Sequence, residues 1–422
     1  MNLRELNHIF IPRSLERVEA WTTTPSGRFL YAVTTPLHSL TREGQAVAVA
    51  ALITAAAGID VHFSHLYLVF CGLAGLLLAA LLTRRMGRAQ ALDVRVHHPP
   101  RVGAGQAMTF TIVVRNRGPR ALFALHVHGP FLPWDGTWEE PPPRIPVLEP
   151  GAEWRGTRRA RFLCRGDRYI GRFFAASVRP LGLMYGNRVF SEPVRLRVVP
   201  ALVPVDGPTP PPAPASFEAR GHAPLAGESF ELLGVRPYRP GDRIRDLHAR
   251  SWARLGEPMV REYRAAQQRR VRVALHPSAR KPRREAIDAA ASLTASLIDW
   301  ATRREAQVEL VVPAAPPVRT VVGTGEGTFE RALDLLATVE AGEAAADADA
   351  RIGVDAGHVG ALYVVFCDFG PAQTALLGGL ARHGVRLTAL LVSDDARTRA
   401  AATAAGVRAL SARAVAEGVA LS

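Results

Sequence analysis

Charged residues are nearly absent from one segment near the start of the chain. Within residues 44–83 the only formally charged residue is Asp60, and two apolar runs, Ala46–Ile59 and Leu66–Leu82, lie on either side of it. A helix that spans a bilayer needs about 20 apolar residues, with about 17 as the lower limit. The second run reaches that limit, and the first does so only if it extends back to Gly44. The pattern predicts a two-span transmembrane hairpin; the alternative is a helical hairpin inside a soluble core.

Positive charges flank this segment. Arg42 precedes it and Arg84, Arg85 and Arg88 follow it, whereas the turn between the runs has no lysine or arginine. The positive-inside rule then places both termini and everything after Arg84 in the cytoplasm. Residues 1–43 are expected to be a cytoplasmic N-terminal extension rather than a cleaved signal peptide, because they are largely polar.

Residues 90–203 alternate between apolar and polar positions with a period of two. The strands Asp93–Val96, Thr109–Val114 and Leu196–Val199 show this alternation, and Asn116–Pro119 is a turn between strands. Regularly spaced short strands without helical periodicity predict an all-β sandwich of immunoglobulin type. Its aromatic residues are expected to form the core, namely Phe110, Phe123, Trp154, Phe162 and Phe173.

The period changes after a proline-rich linker at 204–226, and residues 227–422 alternate apolar strands with amphipathic helices. Continuous apolar strands between helices predict a doubly wound, mostly parallel α/β sheet. The predicted strands are Val271–Leu275, Val308–Val312, Leu362–Cys367 and Leu387–Val392. The predicted helices are Arg284–Thr302, Thr328–Val339, Ala372–His383 and Ala396–Ala405, and Ala341–Ala350 is expected to be a solvated loop.

Composition adds two constraints. Lysine and arginine number 52 against 38 acidic residues, a net charge of +14, but Lys281 is the only lysine and no nucleic-acid-reading module accompanies the charge. We therefore expect no nucleic-acid partner. The three cysteines, Cys71, Cys164 and Cys367, are far apart in apolar segments, which indicates buried thiols rather than a disulfide framework or a zinc site.

The segment Gly227–Tyr263 is dense in charge. Pro240, Gly241 and Asp242 form a turn, since proline fixes φ and glycine permits positive φ. Arginines and carboxylates are interleaved around this turn, so one interpretation is a solvated surface whose charges pair internally. The other is a charged platform for a protein partner, with Tyr238 and Trp252 as aromatic anchors.

This segment resembles the signature of the bacterial family known as domain of unknown function 58. The matching positions are Tyr238, Pro240, Gly241, Asp242, Arg245, His248, Ala253, Arg254, Val260, Arg261 and Glu262. The sequence departs from the family at Ala249, which is usually tryptophan, and at Trp252, which is usually serine. The resemblance implies a two-span hairpin, an immunoglobulin-like domain and a von Willebrand factor A-like domain. It also implies partnership with a MoxR-type AAA+ ATPase and no established catalytic activity.

Of the two interpretations of this segment, we expect the interaction platform. Its residues are Tyr238, Arg239, Gly241, Asp242, Arg245, His248, Trp252, Arg254 and Arg261. In metal-binding relatives of the α/β domain, the first strand ends in a carboxylate and two hydroxyls that hold Mg²⁺, an ion that requires oxygen ligands. The corresponding positions here are His276, Ser278 and Arg280, and Asp368 matches a late aspartate of the same site, so the site is expected to be degenerate.

Arginine stays charged in proteins and repels a dication. One hypothesis is therefore that Arg280 pairs with Asp368 in place of the metal; the alternative is that both face solvent. Thr324 or Thr328 could supply the threonine of the site.

The sequence predicts no enzyme. It contains no HExxH, Walker or GxSxG motif, and the glycine-rich Gly323–Gly327 lacks the lysine and spacing of a P-loop. A thiol site of Cys367 with His358 or His383 is a weaker alternative to a buried strand cysteine. The expected function is a multi-pass inner-membrane adaptor without a cofactor that joins a MoxR-type AAA+ ATPase to a client protein. A divalent-metal-dependent ligand-binding module is the alternative, and a hydrolase the third possibility.

Overall fold

The chain divides after Ala201 into two compact units, Met1–Ala201 and Leu202–Ser422. A computed structural model describes most of both units. The residues described are 39–58, 65–83, 91–178, 180–212, 230–239, 242, 244–265, 269–277, 283–313, 318–323, 325, 327–340, 342, 348–353 and 358–421. Nearly all of the predicted N-terminal extension, up to residue 38, lies outside these ranges.

The first unit contains two helices near the start of its described residues, α1 (Arg42–Ala57) and α2 (Leu66–Thr83), and they lie against each other. In the described part of the chain, α2 alone is long and apolar enough to cross a membrane, with 18 residues of mean hydropathy 2.4. Helix α1 has 16 residues, so the span predicted for the first apolar run is not confirmed. Both helices nevertheless expose large apolar side chains, among them Leu52 at 76% and Leu68 at 66%. One helix thus has the length and composition of a membrane span.

In the described part of this unit, nine strands follow and form two sheets. Their bounds are β1 Leu92–His97, β2 Arg101–Gly103, β3 Ala107–Asn116, β4 Leu122–His128, β5 Gly136–Trp138, β6 Arg144–Leu148, β7 Glu153–Phe162, β8 Gly166–Ser177 and β9 Val189–Val199. One sheet has the order β1-β3-β7-β5 and the other β2-β9-β8-β4-β6. Phe110, Phe162 and Phe173 are fully buried in a core built from both sheets. The predicted β-sandwich is therefore confirmed.

The strand order of the sandwich is of immunoglobulin type in part. The runs β1-β3-β7 and β9-β8-β4 correspond to strands A-B-E and G-F-C of that fold. Strands β5 and β6 each lie at the edge of one sheet, and their order along the chain differs from that of the immunoglobulin fold. The core assignment was wrong for Phe123, which is 40% exposed. Its neighbour Ala124 has a φ of 49°, and this irregularity in β4 turns Phe123 away from the core. Trp154 packs against the edge of the core and is partly buried.

The second unit contains a six-stranded sheet. Its strands are β13 Arg270–His276, β14 Gln307–Val312, β15 Val318–Val322, β16 Ala361–Phe366, β17 Arg386–Val392 and β18 Arg408–Leu410. The order is β15-β14-β13-β16-β17-β18, and every pair is parallel except β14 with β15. This is the doubly wound order 3-2-1-4-5-6, in which the direction of winding reverses between β13 and β16.

Helices cover both faces of this sheet. Their bounds are α4 Arg284–Thr302, α5 Thr328–Thr338, α6 Ala348–Gly353, α7 Pro371–Ala381, α8 Ala396–Ala404 and α9 Ala412–Glu417. Helices α4, α5 and α9 contribute to the core on one face, and α6, α7 and α8 to the core on the other. The doubly wound α/β architecture predicted from the alternating pattern is thus present. The expectation of a solvated loop at 341–350 was wrong at its end, because α6 begins at Ala348, and Ile352 in this helix is completely buried.

The first residues of the predicted linker lie on the second unit. Strand β10 (Val205–Asp206) pairs in parallel with β19 (Val419–Ala420), and the Val203 amide donates to Ser296 Oγ on α4 at 2.8 Å. A Cβ on Gly360 would lie 2.2 Å from the carbonyl oxygen of Pro211, so this glycine permits the close approach of the proline-rich backbone. Residues 213–226 of the linker lie outside the described residues.

Candidate functional site

The charged signature segment forms a separate structural element, residues 230–265, which we call the signature arm. Strand β11 (Phe230–Pro237) pairs antiparallel with β12 (Met259–Ala265), with an irregularity in register between Leu232 and Gly234. Between these strands the chain forms a 3₁₀ turn (Ile244–Asp246) and the short helix α3 (Ala249–Leu255). The arm is therefore a two-stranded ribbon that carries a folded connection at its end.

A hydrogen-bond network around Asp242 fixes the turn that follows β11. Arg236 donates two hydrogen bonds to the Asp242 carboxylate, at 2.7 and 2.8 Å, and the Arg239 amide donates a third at 2.7 Å. These bonds from Arg236 and from the Arg239 amide hold the pKa of Asp242 at about 2, well below its usual value of 3.8. The Asp242 carboxylate thus accepts the hydrogen bonds that hold this turn together. Gly241, the glycine of the predicted turn, lies outside the described residues.

Helix α3 is fixed at both ends by side-chain and backbone contacts. The His248 side chain caps its start by accepting from the Ser251 amide at 3.2 Å, and the His248 amide donates to Met259 O on β12 at 2.8 Å. At the other end Gly256 adopts a φ of 75° and donates to Trp252 O, as expected for a glycine after a helix. His248 therefore has a structural role in holding the helix against the ribbon.

Large apolar side chains are exposed on the connection that the ribbon carries. Ile244 is 77% exposed, Leu255 64%, Trp252 44% and Tyr238 37%. Sequence reasoning selected the two aromatic residues and missed Ile244 and Leu255. The available signal was the presence of isolated aliphatic residues within a charged segment.

Arginines surround this apolar surface. Arg239, Arg245, Arg254 and Arg261 are all exposed. Among the described residues, Arg245, Arg254 and Arg261 form no ion pair, whereas Arg236 pairs with Asp242. The interpretation of an internally paired surface therefore holds for the turn but not for these three arginines. The arm presents an apolar patch with a positive rim.

The departure from the family signature has a simple geometric explanation. Ala249 and Trp252 are three residues apart on α3, and residues at this spacing lie on the same face of a helix. The signature that the sequence resembles has tryptophan at the position of Ala249, and this chain has one on the same face, about one turn later. The chain keeps an exposed aromatic ring on this helix face.

The predicted degenerate metal site lies where the winding of the α/β sheet reverses. His276 ends β13, and Asp368 follows the neighbouring strand β16. His276 is 4% exposed and packs against the ring of Phe366 at a centroid distance of 5.5 Å. Asp368 Oδ1 accepts from the Phe369 amide at 2.8 Å. Ser278 and Arg280 lie outside the described residues, so the hypothesis of an Arg280–Asp368 pair stays a prediction.

The described residues contain no cluster of three or more histidine, cysteine or acidic side chains that could hold a metal ion. They also separate the members of the alternative thiol site. Cys367 follows the carboxyl end of β16, whereas His358 precedes its amino end, roughly 20 Å away for a strand of this length. His383 follows α7 and precedes the start of β17, which is also the amino edge of the sheet.

The cysteines differ in their exposure. Cys367 is buried and Cys164 is partly buried, as expected for thiols in apolar segments, whereas Cys71 is exposed on the surface of α2. None of the three, all of which lie in the described part of the chain, forms a disulfide. Cys71 therefore corrects the expectation that every thiol is buried, because it lies on the helix with the composition of a membrane span.

Comparison with known proteins gives limited likenesses. No curated protein matches the sequence. Among solved structures, the chain is similar to a CARDB domain from Pyrococcus furiosus, at 17% identity over 26% of this chain and 87% of that one, with a TM-score of 0.19. It is similar to an aerotolerance-related membrane protein from Bacteroides fragilis, at 16% identity over 36% and 90%, with a TM-score of 0.24.

A further similarity is to α-2-macroglobulin from Escherichia coli, at 16% identity over 29% of this chain and 18% of that one, with a TM-score of 0.22. The comparison with family models gives a match that begins in the middle of the signature arm's first strand, includes the rest of the arm and covers most of the α/β sheet. Residues 234–399 match the model described as "Protein of unknown function DUF58", and this part of the chain belongs to that family.

Proposed function

We propose that the chain is a membrane-anchored interaction protein whose signature arm binds a protein partner. The observation that carries the proposal is the combination of four exposed apolar side chains with a rim of exposed arginines on one small element. Tryptophan, tyrosine and arginine dominate the binding energy of protein interfaces, and exposed apolar patches of this kind commonly mark them.

The construction of the arm supports a preformed binding surface. The Asp242 network fixes the turn, the His248 and Gly256 contacts fix α3, and Met259 and Val260 are buried beneath the helix at 8% and 4% exposure. A surface that is already ordered loses little conformational entropy on binding. Because the rim is positive, the partner surface is an apolar groove bordered by carboxylates.

The anchor in this proposal is the helical hairpin, α1 with α2. The exposed apolar side chains of both helices support two spans, since exposing them to water costs about 25 cal/mol per Å². The arginines that flank the hairpin in the sequence support placing both soluble units on the cytoplasmic side of an inner membrane. The arm is then available to a cytoplasmic partner.

For the partner we propose an AAA+ ATPase of the MoxR type, as the family resemblance implies, and for the α/β unit a von Willebrand factor A-like domain. The doubly wound strand order supports the second assignment. Neither of these two assignments identifies the client protein. An adaptor needs no catalytic group, and the proposal assigns none to this chain.

A divalent-metal-dependent binding module is the second candidate. The observation in its favour is the position of Asp368 at the carboxyl end of β16, beside the point where the winding reverses and ligands bind in such sheets. Hard cations take about six oxygen ligands, and the described residues contain no group of three or more histidine, cysteine or acidic side chains that could hold one. A Mg²⁺ or Mn²⁺ titration that saturates, and that Asp368→Asn abolishes, would favour this candidate over the adaptor.

Photo-crosslinking tests the proposed function. A photoreactive amino acid in place of Trp252 in the full chain, irradiated in native membranes, is expected to form an adduct that mass spectrometry identifies as an AAA+ ATPase. The same amino acid at Leu163, which is 57% exposed on the sandwich, is the control and is expected to give no such adduct. Absence of an ATPase adduct at position 252 would contradict the proposed partner. A hydrolase would instead be revealed by labelling with an active-site serine or cysteine probe.

A further inference from the structure

Helix α1 is fixed to the sandwich without a linker. The Thr41 amide donates to Leu183 O at 3.0 Å, Thr41 Oγ1 donates to Gly182 O at 2.8 Å, and the Tyr185 amide donates to Ser39 O at 2.8 Å. A Cβ on Gly44 would lie 2.0 Å from Leu183 O, so the helix backbone touches the loop directly. If α1 and α2 enter a bilayer, these contacts hold one end of the sandwich at the membrane surface.

That end of the sandwich is positively charged. The Tyr185 hydroxyl lies within electrostatic range of three arginines, Arg42, Arg144 and Arg188. Its pKa is raised mainly by burial, and the three arginines oppose that rise. The Arg188 guanidinium lies 4.8 Å from the ring centre of Phe174 and 5.6 Å from that of Tyr185. Glu43 is the acidic residue that acts on the same hydroxyl, so arginines outnumber carboxylates three to one around it.

Apolar side chains are exposed beside these arginines. Phe190 is 50% exposed and packs on Phe174, Leu181 is 44% exposed in the loop that holds Thr41, and Phe123 is 40% exposed. Phe123 lies close to that loop, because Ser177 Oγ donates to its carbonyl at 2.9 Å and the Gly186 amide donates to Ser177 O at 2.8 Å. We call the surface formed by Phe123, Arg144, Leu181, Arg188 and Phe190 the juxtamembrane face.

We propose that the juxtamembrane face binds anionic phospholipids, with Arg144 and Arg188 contacting headgroup phosphates and the exposed apolar side chains entering the interfacial layer. Arginine binds phosphate well, and arginines with aromatic residues favour the headgroup region of a bilayer. The contacts of Thr41 place this surface where lipid, rather than a soluble partner, is the adjacent phase. The inference rests on the membrane anchoring in the proposed function, but not on the arm or its partner.

Lipid binding at this face would fix the orientation of the sandwich relative to the membrane. Each arginine near an anionic surface increases the binding constant roughly fivefold. Removing Arg144 and Arg188 together is therefore expected to weaken the contact about 30-fold, and about 1 M salt is expected to weaken it as well, because the screening length falls to about 3 Å.

Three single-cysteine probes test the proposal in the full chain, with Cys71, Cys164 and Cys367 replaced by serine. An environment-sensitive fluorophore is attached at Phe190→Cys, at Leu163→Cys or at Leu78→Cys on α2, each in nanodiscs that contain a shallow lipid quencher. Leu163 adjoins the far end of β8, roughly 30 Å or more from the juxtamembrane face. We expect quenching at position 190 in discs with phosphatidylglycerol, quenching at 78 in all discs, and none at 163.

The outcomes separate this inference from the anchoring on which it rests. Quenching at 78 without quenching at 190 would overturn the lipid contact and leave the anchoring intact, whereas no quenching at 78 would overturn both. The variant Arg144→Gln/Arg188→Gln should lose the quenching at 190. The matched control Arg159→Gln/Arg161→Gln removes two exposed arginines of β7 and should keep it. If both variants quench equally, or if discs of phosphatidylcholine alone give the same signal, the arginine–phosphate contact is refuted.

Discussion

Replacing Gly44 by alanine should loosen the junction between α1 and the sandwich. The new methyl carbon would lie 2.0 Å from the backbone oxygen of Leu183 and 2.9 Å from its carbonyl carbon. Overpacking costs about 1–3 kcal/mol, and a backbone oxygen cannot move aside by changing rotamer, so the upper end applies. Alanine gains up to about 1 kcal/mol over glycine in a helix. The net cost is about 2 kcal/mol, which corresponds to about a 30-fold change in the opening equilibrium of the junction.

Hydrogen exchange of the full chain in nanodiscs measures this change. The amides of Thr41 and Tyr185, which bond across the junction, should exchange about 30-fold faster in Gly44→Ala, since local opening controls their protection. Gly75→Ala in α2 is the matched control, because its Cβ would meet nothing within 4 Å and should leave both amides unchanged. Unchanged protection in Gly44→Ala would refute a fixed junction, and with it the geometric basis of the lipid contact.

Three further predictions concern single side chains. The Asp242 carboxyl should titrate near pH 2 rather than at its ordinary pKa of 3.8. The stability that it gives the arm is therefore fully present above pH 3.8 and is lost as the pH falls through about 2. A carboxyl resonance that titrates near 3.8 would contradict the hydrogen bonds from Arg236. Burial lowers the pKa of His128 to about 4 from 6.5, so the sandwich should keep its full stability above pH 6.5 and lose roughly 2 kcal/mol as the pH falls to 4. His128→Phe should remove that slope in chemical denaturation, and an unchanged slope would exclude His128 as its source. Asn116→Ala should cost about 3 kcal/mol, because the buried amide donates to the carbonyls of Arg120, Leu148 and Glu149; the exposed Asn187→Ala is its control, and equal midpoints would contradict the prediction.

The α/β unit was predictable because its elements have strong hydrophobic patterns. The predicted helix Arg284–Thr302 agrees with the structure at both ends, and it buries most of its apolar residues in the core. The predicted strand Val308–Val312 differs from the observed one by a single residue. Strands Val318–Val322 and Arg408–Leu410 were missed, since both are short strands at the edges of the sheet, where the core imposes little pattern.

The candidate site was predictable in position but not in composition. The turn and the aromatic residues of the signature arm follow from proline, glycine and the family signature, and the structure places Tyr238, Asp242 and Trp252 together in that arm. The exposure of Ile244 and Leu255 depends on which face of the connection packs on β12, and no periodicity reveals this in so short a segment. The exposure of Phe123 depends on one irregular residue, Ala124, which the alternation of β4 conceals.

The central claim is that the signature arm is the partner-binding surface, and co-purification of tagged full chain from native membranes tests it most directly. The double variant Arg245→Ala/Trp252→Ala is compared with Arg159→Ala/Phe131→Ala, which removes an exposed arginine and an exposed aromatic residue from the sandwich. The account predicts that an AAA+ ATPase co-purifies with the unaltered chain and with the sandwich variant, and is lost with the arm variant. Equal recovery of the ATPase with the arm variant, or its absence from the unaltered chain, would contradict the claim.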